Sequence, residues 1–274
     1  MSIPIIFFHA GKSDYLEHTL RQAAATNPNS DIYLIGDTEN SEYGEIVNFI
    51  PYENFFEDVW EFKKIYTHMS TNDAAYEMIC LVRWFIINRF CKKHNIDKFF
   101  CCDSDVLLYC DITEEQKNFK DYRCTMTHNV SAGITFINDL SVLDEFYDLC
   151  NKIYSKEDMY NFNKCKLHYK NLQNSNRAGG VCDMTIWGLY RNIGNPGDYG
   201  ETSAIIKDSV FDHNINGDDG YETENDLKKV YWEDNIPYCK KIWLDKKIKF
   251  NCLHFQGQPA KALIREYSTY DKLV

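Results

Sequence analysis

Asp103-Ser104-Asp105 interrupts an apolar stretch, with Phe99-Phe100-Cys101-Cys102 before it and Val106-Leu107-Leu108-Tyr109 after it. On an extended segment, carboxylates at i and i+2 point the same way. Hard oxygen ligands so placed suit Mg2+ or Mn2+, ions that also bind phosphate oxygens. The competing reading is a solvated turn, but no turn-type Gly or Pro stands nearby. His254 ends an apolar run and could complete the shell of such an ion as a neutral imidazole. Lys261 could meet a diphosphate as a point charge. Arg83 lies in an otherwise apolar helical run and needs an anionic partner, an internal carboxylate or a phosphate. Asp183 opens a helical segment, where it is either a cap or a reactive carboxylate. Gly133 and Gly179-Gly180 either make turns or let a backbone approach a ligand closely.

The elements that would position these residues alternate between strands and helices. Residues 3–8 form a continuously apolar strand of the parallel, doubly covered type. A helix over 15–25, capped by Asp14, stops at Asn27-Pro28-Asn29, and a strand over 32–35 follows, ending at Gly36-Asp37. This β-α-β opening is that of an open α/β sheet whose ligand cleft lies beyond the strand ends. A third strand is expected over 47–50, a short helix within 54–66, and a buried helix over 74–94, apolar almost all round. Strands over 122–127 and 132–137 and an amphipathic helix over 141–153 come next. Residues 155–178 are polar and predict a mobile loop. A helix over 182–190 precedes a loop-like segment from 194 to 226 holding one short strand at 205–211. Strands near 229–232, 241–244 and 248–254 lead to a short terminal helix.

Composition narrows the function classes. The chain has 274 residues, 44% of them hydrophobic, which supplies a sizeable core. A formal charge of -11 argues against general binding to nucleic acid or anionic lipid. No apolar run reaches the roughly 18 to 20 residues of a membrane span, so no transmembrane segment is expected. The first residues read as a strand, with no basic leader and no small-residue cleavage site. Eleven cysteines without a CxxC pair fit reduced thiols, so the expected location is cytoplasmic. Asn129-Val130-Ser131 matches a glycosylation sequon, relevant only to a secreted protein. GxGxxG and GxxxxGK[ST] are absent, which removes the dinucleotide and P-loop readings.

Five segments in this order resemble the metal-dependent glycosyltransferases of the GT-A fold, closest in pattern to family 8-like enzymes with DxD plus HxxGxxK, the last of which reads HxxGxxxK in this chain. They are Arg83 in the helix before the DxD strand, the Ile96 to Tyr109 block, Ser131-Ala132-Gly133-Ile134-Thr135-Phe136-Ile137-Asn138, Gly179-Gly180-Val181-Cys182-Asp183, and His254-Phe255-Gln256-Gly257-Gln258-Pro259-Ala260-Lys261. The resemblance implies an α/β fold, one Rossmann-like GT-A domain over 1–274 with a mostly parallel central sheet flanked by helices. Residues 1–110 would be the nucleotide-binding half and 111–274 the acceptor-binding half. It implies Mn2+ or Mg2+ on Asp103, Asp105 and His254, with Asp103 also at the ribose. Donor contacts would come from His9, Ala10, Asp37, Arg83, Ser104, Gly133, Gly257 and Lys261, and acceptor contacts from Gly180 and Trp187.

The implied activity is sugar transfer from a nucleotide-sugar donor, a UDP-sugar first and a GDP-sugar second, to a glycan or other hydroxyl acceptor. Asp183 would be the catalytic residue, as acceptor base in an inverting enzyme or positioning the sugar in a retaining one; the family pattern implies retention. Two alternatives stand beside this. One is a non-catalytic nucleotide-sugar or glycan-binding protein on the same scaffold. The other is a nucleotidyltransferase, which should carry a Gly-rich basic loop where this chain has only Gly11-Lys12.

Overall fold

The computed structural model describes residues 2–128 and 130–273, so Asn129 of the sequon lies outside the described residues. Four parallel strands form one half of a seven-stranded sheet: β1 (Ile5–His9), β2 (Ile32–Gly36), β3 (Asn48–Pro51) and β4 (Phe99–Asp103). The order across the sheet is β3-β2-β1-β4, continued by β7 (Ile134–Ile137), β6 (Cys124–Met126) and β8 (Tyr199–Glu201). β7 runs antiparallel to β4 and to β6, while β6 and β8 are parallel. β1 is buried at every position, as a strand covered on both faces must be.

Helices cover the two faces. α1 (Leu16–Thr26) packs its Leu16, Leu20 and Ala23 with Ile5 and Phe7. α2 (Glu57–Ile65), α3 (Ala74–His94), α5 (Ser141–Tyr154) and α7 (Asp183–Ile193) share a second cluster with Ile6 and Phe99. The short α4 (Ile112–Gln116) lies between β5 (Val106–Leu108) and β6. α3 begins at Asp73, which accepts from the N–H groups of Ala75 and Tyr76, and stops at Asn95 in the left-handed conformation, φ 55°.

A second sheet carries β12 (Val230–Glu233), β13 (Ile236–Lys241), β14 (Lys246–His254) and β5 in that order, with β9 (Ser209–Phe211) parallel to β14. β10 (Thr223–Glu224) and β11 (Leu227–Lys228) form a separate small hairpin. α6 (Met159–Asn174), α8 (Gln258–Lys261) and α9 (Ile264–Tyr267) complete the helices used below. β4 and β5 belong to different sheets, so the chain leaves one for the other between Asp103 and Val106.

Several expectations need correction. Ser104 and Asp105 form a turn, so the two carboxylates are not on one extended strand. The turn needs no Gly or Pro because β5 is immediately taken up by β14, pairing Val106 with His254. Asp14 caps nothing: the residue before α1 is Tyr15, without a side-chain cap bond, and Leu16 N–H donates to the Ser13 carbonyl. The polar stretch 155–178 is mostly helix α6, started by Asp158, which accepts from Asn161 N–H. Its buried stripe is narrow, Asn161, Phe162 and Cys165, and the polar residues that hid the periodicity face outward. The segment 194–226 holds β8 and β10 as well as β9, and Ile242–Leu244 is a 3-10 turn, not a strand.

Candidate active site

Pairing of β1 with β4 sets Phe8 beside Asp103, so His9 and the Asp103-Ser104-Asp105 turn meet at the carboxyl ends of parallel strands, the usual place for a cleft. The end of β14 brings His254 to the same spot. His254 Nε2 lies 3.3 Å from Asp105 Oδ1 and 3.9 Å from Asp103 Oδ2, and one ligand atom from each residue falls within 4.8 Å of the others. His254 Nδ1–H donates to the His213 carbonyl at 2.6 Å, which turns Nε2 toward the carboxylates. A histidine ligand with its other nitrogen tied to a carbonyl is the usual second-shell arrangement of a metal site. Two hard carboxylates and one imidazole so oriented fit a divalent ion, and this group could hold one.

Lys261, on α8, reaches Asp105 Oδ2 at 3.1 Å. Burial works against charge on both Asp105 and His254, but their hydrogen bond and attraction outweigh it, and Lys261 adds to the hold on Asp105. The Asp105 carboxyl is drawn down to about 2. The His254 imidazole is pushed up to about 9 by Asp105, with help from Asp103 and Asp212. Gly257, at φ 87°, makes the left-handed turn that starts α8 and swings Lys261 back over the cluster.

A second network adjoins the first. Arg83 Nη1 donates to Asp103 Oδ1 and Nη2 to Asp183 Oδ2, both at 2.6 Å. Trp84 Nε1 donates to the same Asp183 oxygen at 3.1 Å, and Met184 N–H donates to Oδ1 at 2.9 Å. The partner required by Arg83 is thus a pair of carboxylates. Gly133 lies against this junction: a Cβ there would stand 2.6 Å from Asp103 Oδ2, so only glycine leaves the carboxylate its place. Ser104 and His9 form the other edge, with Oγ to Nδ1 at 2.7 Å, while His9 Nε2 is buried and has no hydrogen-bond partner among the described residues.

The structure therefore brings together Asp103, Ser104, Asp105, His254, Lys261, Arg83, Asp183, Gly133 and His9, with Ala10 exposed beside His9. It redirects others. Asp37 is engaged by backbone, accepting from Gly11 N–H at 2.5 Å and Glu39 N–H at 3.0 Å, and so shapes the loop after β1. Gly180 is needed for a close backbone crossing, since a Cβ would stand 2.3 Å from Ser70 Cα. Trp187, expected at the acceptor, is 0% exposed, stacked on Phe146 and edge-on to Trp84; its place is the core.

Sequence reasoning missed Tyr15, whose hydroxyl is 3.5 Å from Ser104 Oγ and whose ring lies under Lys261 Nζ at 5.4 Å. It also missed Asp212, which accepts His254 N–H at 3.1 Å. Neither stands in a motif; both reach the site through long-range contacts. All eleven cysteines are free, most of them buried, and none belongs to the cluster. Among the described residues no helix is long and apolar enough to cross a membrane.

No protein-family model matches the chain, and no curated protein matches it. Solved structures do. Mouse xyloside xylosyltransferase 1 in its apo form superposes with a TM-score of 0.51 at 9% identity, over 77% of this chain and 88% of that one. The chain has the GT-A fold. The apo-form glycosyltransferase GlyE of Streptococcus pneumoniae TIGR4 aligns with all of this chain but 62% of its own, at 14% identity and a TM-score of 0.49.

Proposed function

We propose that this chain is a metal-dependent glycosyltransferase that moves a sugar from a nucleoside diphosphate sugar, UDP in preference to GDP, to a hydroxyl of a glycan or other acceptor. The observation that carries the reading is the convergence of Asp103, Asp105 and His254 at the strand ends, with Lys261 against Asp105. Bound there, Mn2+ or Mg2+ would supply electrostatic stabilisation of a departing diphosphate. Lys261 adds a cation beside the same oxygens. His9, paired with Ser104 through Nδ1, would line the nucleotide side of the donor. Asp183 is held by three donors, from Arg83, Trp84 and Met184, an arrangement suited to fixing a sugar in place. That favours a positioning role for Asp183 and transfer with retention of configuration.

A panel of UDP- and GDP-sugars, incubated with Mn2+ or Mg2+ and read for free nucleoside diphosphate, tests donor and activity together. One donor should be turned over, slowly without acceptor and only with the metal, and the anomeric proton of the transferred sugar should report retention. Release from no donor, with or without candidate acceptors, would favour the binding protein. Release of pyrophosphate from a nucleoside triphosphate would favour the nucleotidyltransferase.

A further inference from the structure

Lys228, at the end of β11, is a buried lysine outside the cluster just described, its side chain 1% exposed. An ammonium is kept out of water only when its protons are matched by acceptors. Three acceptors surround it: Asp212 Oδ1 and Asp219 Oδ2, each at 2.8 Å, and the Asn214 carbonyl at 2.5 Å. All three belong to one loop, residues 212–219, which follows β9. The small hairpin of β10 and β11 thus contributes a single cation that gathers this loop from three points.

The same loop grips the end of β14. Asp212 Oδ2 accepts the backbone N–H of His254 at 3.1 Å, and the His213 carbonyl accepts its Nδ1–H at 2.6 Å. Ile215 N–H donates to the His254 carbonyl at 2.9 Å, and Asn216 Nδ2 donates to the Gln256 carbonyl at 2.7 Å. Backbone and ring of His254 are therefore held by neighbours whose own positions depend on Lys228. Asp212 is the shared member, with one oxygen on Lys228 and the other on His254. If the loop loosens, the Nδ1–H bond goes first, because it depends on the direction of one carbonyl. The ring is then free to turn Nε2 away from Asp103 and Asp105.

We propose that Lys228 is a positioning residue: it clamps the 212–219 loop, and the loop holds His254 with Nε2 presented to Asp103 and Asp105. The role for metal binding rests on the metal-site reading above. Loss of groups that hydrogen-bond a ligand typically weakens metal affinity by about 10- to 100-fold, and the bonds of Asp212 and His213 to His254 are such contacts.

The test compares wild type with Lys228→Met and with Lys228→Met combined with Asp212→Asn and Asp219→Asn, which removes the charges that the single variant leaves unpaired in the interior. Free Mn2+ is measured by electron paramagnetic resonance during titration. The hydrogen-bonded Nδ1–H proton of His254 is followed by NMR in the metal-free protein. Both variants should bind Mn2+ about 10- to 100-fold more weakly and lose the Nδ1–H resonance. Leu16→Ala, which destabilises the core against α1 without touching the loop, should keep both at wild-type values. A folded Lys228 variant with wild-type affinity and an intact resonance overturns the proposal. Wild type that binds no Mn2+ overturns the metal reading instead, and the resonance alone then decides the clamp.

Discussion

Asp105 and His254 stabilise each other's charge in a buried place, and this coupling makes the site respond to pH in two opposite ways. The imidazole rises from 6.5 to about 9 on folding, so its contribution to metal-free stability is complete below pH 6.5 and is lost as pH climbs through 9. Asp105 falls from 3.8 to about 2, so its contribution is present above pH 3.8 and is lost as pH drops through 2. The melting temperature of metal-free protein should therefore decline between pH 6.5 and 9. Metal has the opposite dependence, because the proton on His254 must leave before Nε2 can ligate. Apparent Mn2+ affinity should rise by about tenfold per pH unit below 9, as measured by titration at fixed ionic strength. An affinity flat over that range would remove His254 from the ligand set. Asp105→Ala should abolish stabilisation by UDP-sugar with Mn2+ in a thermal-shift assay; stabilisation that survives both this change and a chelator would sink the metal bridge.

Arg83 shows how much a single residue can hold. It stands between Asp103 and Asp183 on a helix whose other buried positions are mostly apolar, and it pairs with both carboxylates at once. Arg83→Met should cost about 3–5 kcal/mol, the usual consequence of leaving buried charge without its partner, and denaturant unfolding would measure it. Arg83→Lys should recover only part of this, since the lysine has one nitrogen where the guanidinium aims Nη1 at Asp103 and Nη2 at Asp183 in a fixed plane.

At the scale of elements, the site depends on three chain segments ending at one place: β4, β14 and the start of α7. The β4–β7 pairing is one of these constraints. Asp103 N–H donates to the Gly133 carbonyl at 2.8 Å, so the approach to β7 and the Asp103-Ser104-Asp105 turn are in direct register. Gly133→Ala should push Asp103 aside, weakening Mn2+ binding with little change in fold, which circular dichroism and metal titration together would reveal. The long helix α3 was legible because apolar residues recur around almost its whole circumference. α6 was not legible, because a helix that buries only one narrow stripe looks polar in sequence.

Across the whole molecule, the aromatic cluster of Trp84, Phe146 and Trp187 fastens α3, α5 and α7 together and thereby sets the distance between Arg83 and Asp183. Trp187→Ala should cost about 3–5 kcal/mol of stability, as large-to-small core changes do. The milder Trp187→Phe should leave the acceptor KM of the folded enzyme unchanged, which follows from its full burial. A raised KM with unchanged stability would return Trp187 to the acceptor site.

The sequence by itself determined the α/β alternation and the parallel core strands, because continuous apolar runs and helical periodicity are local signals. It also marked Asp103 and Asp105, carboxylates that interrupt an apolar stretch, and His254 at the end of another, while Asp183 and Lys261 stood out through the family resemblance. Tertiary structure alone decided the rest. It turned Asp103-Ser104-Asp105 from a strand into a crossing between two sheets, assigned Arg83 to two carboxylates, and withdrew Trp187 into the core. It placed Tyr15, Asp212 and Lys228 around the site. Those outcomes depend on contacts between residues far apart in the chain, and no local pattern of polarity encodes which distant group a buried charge will meet.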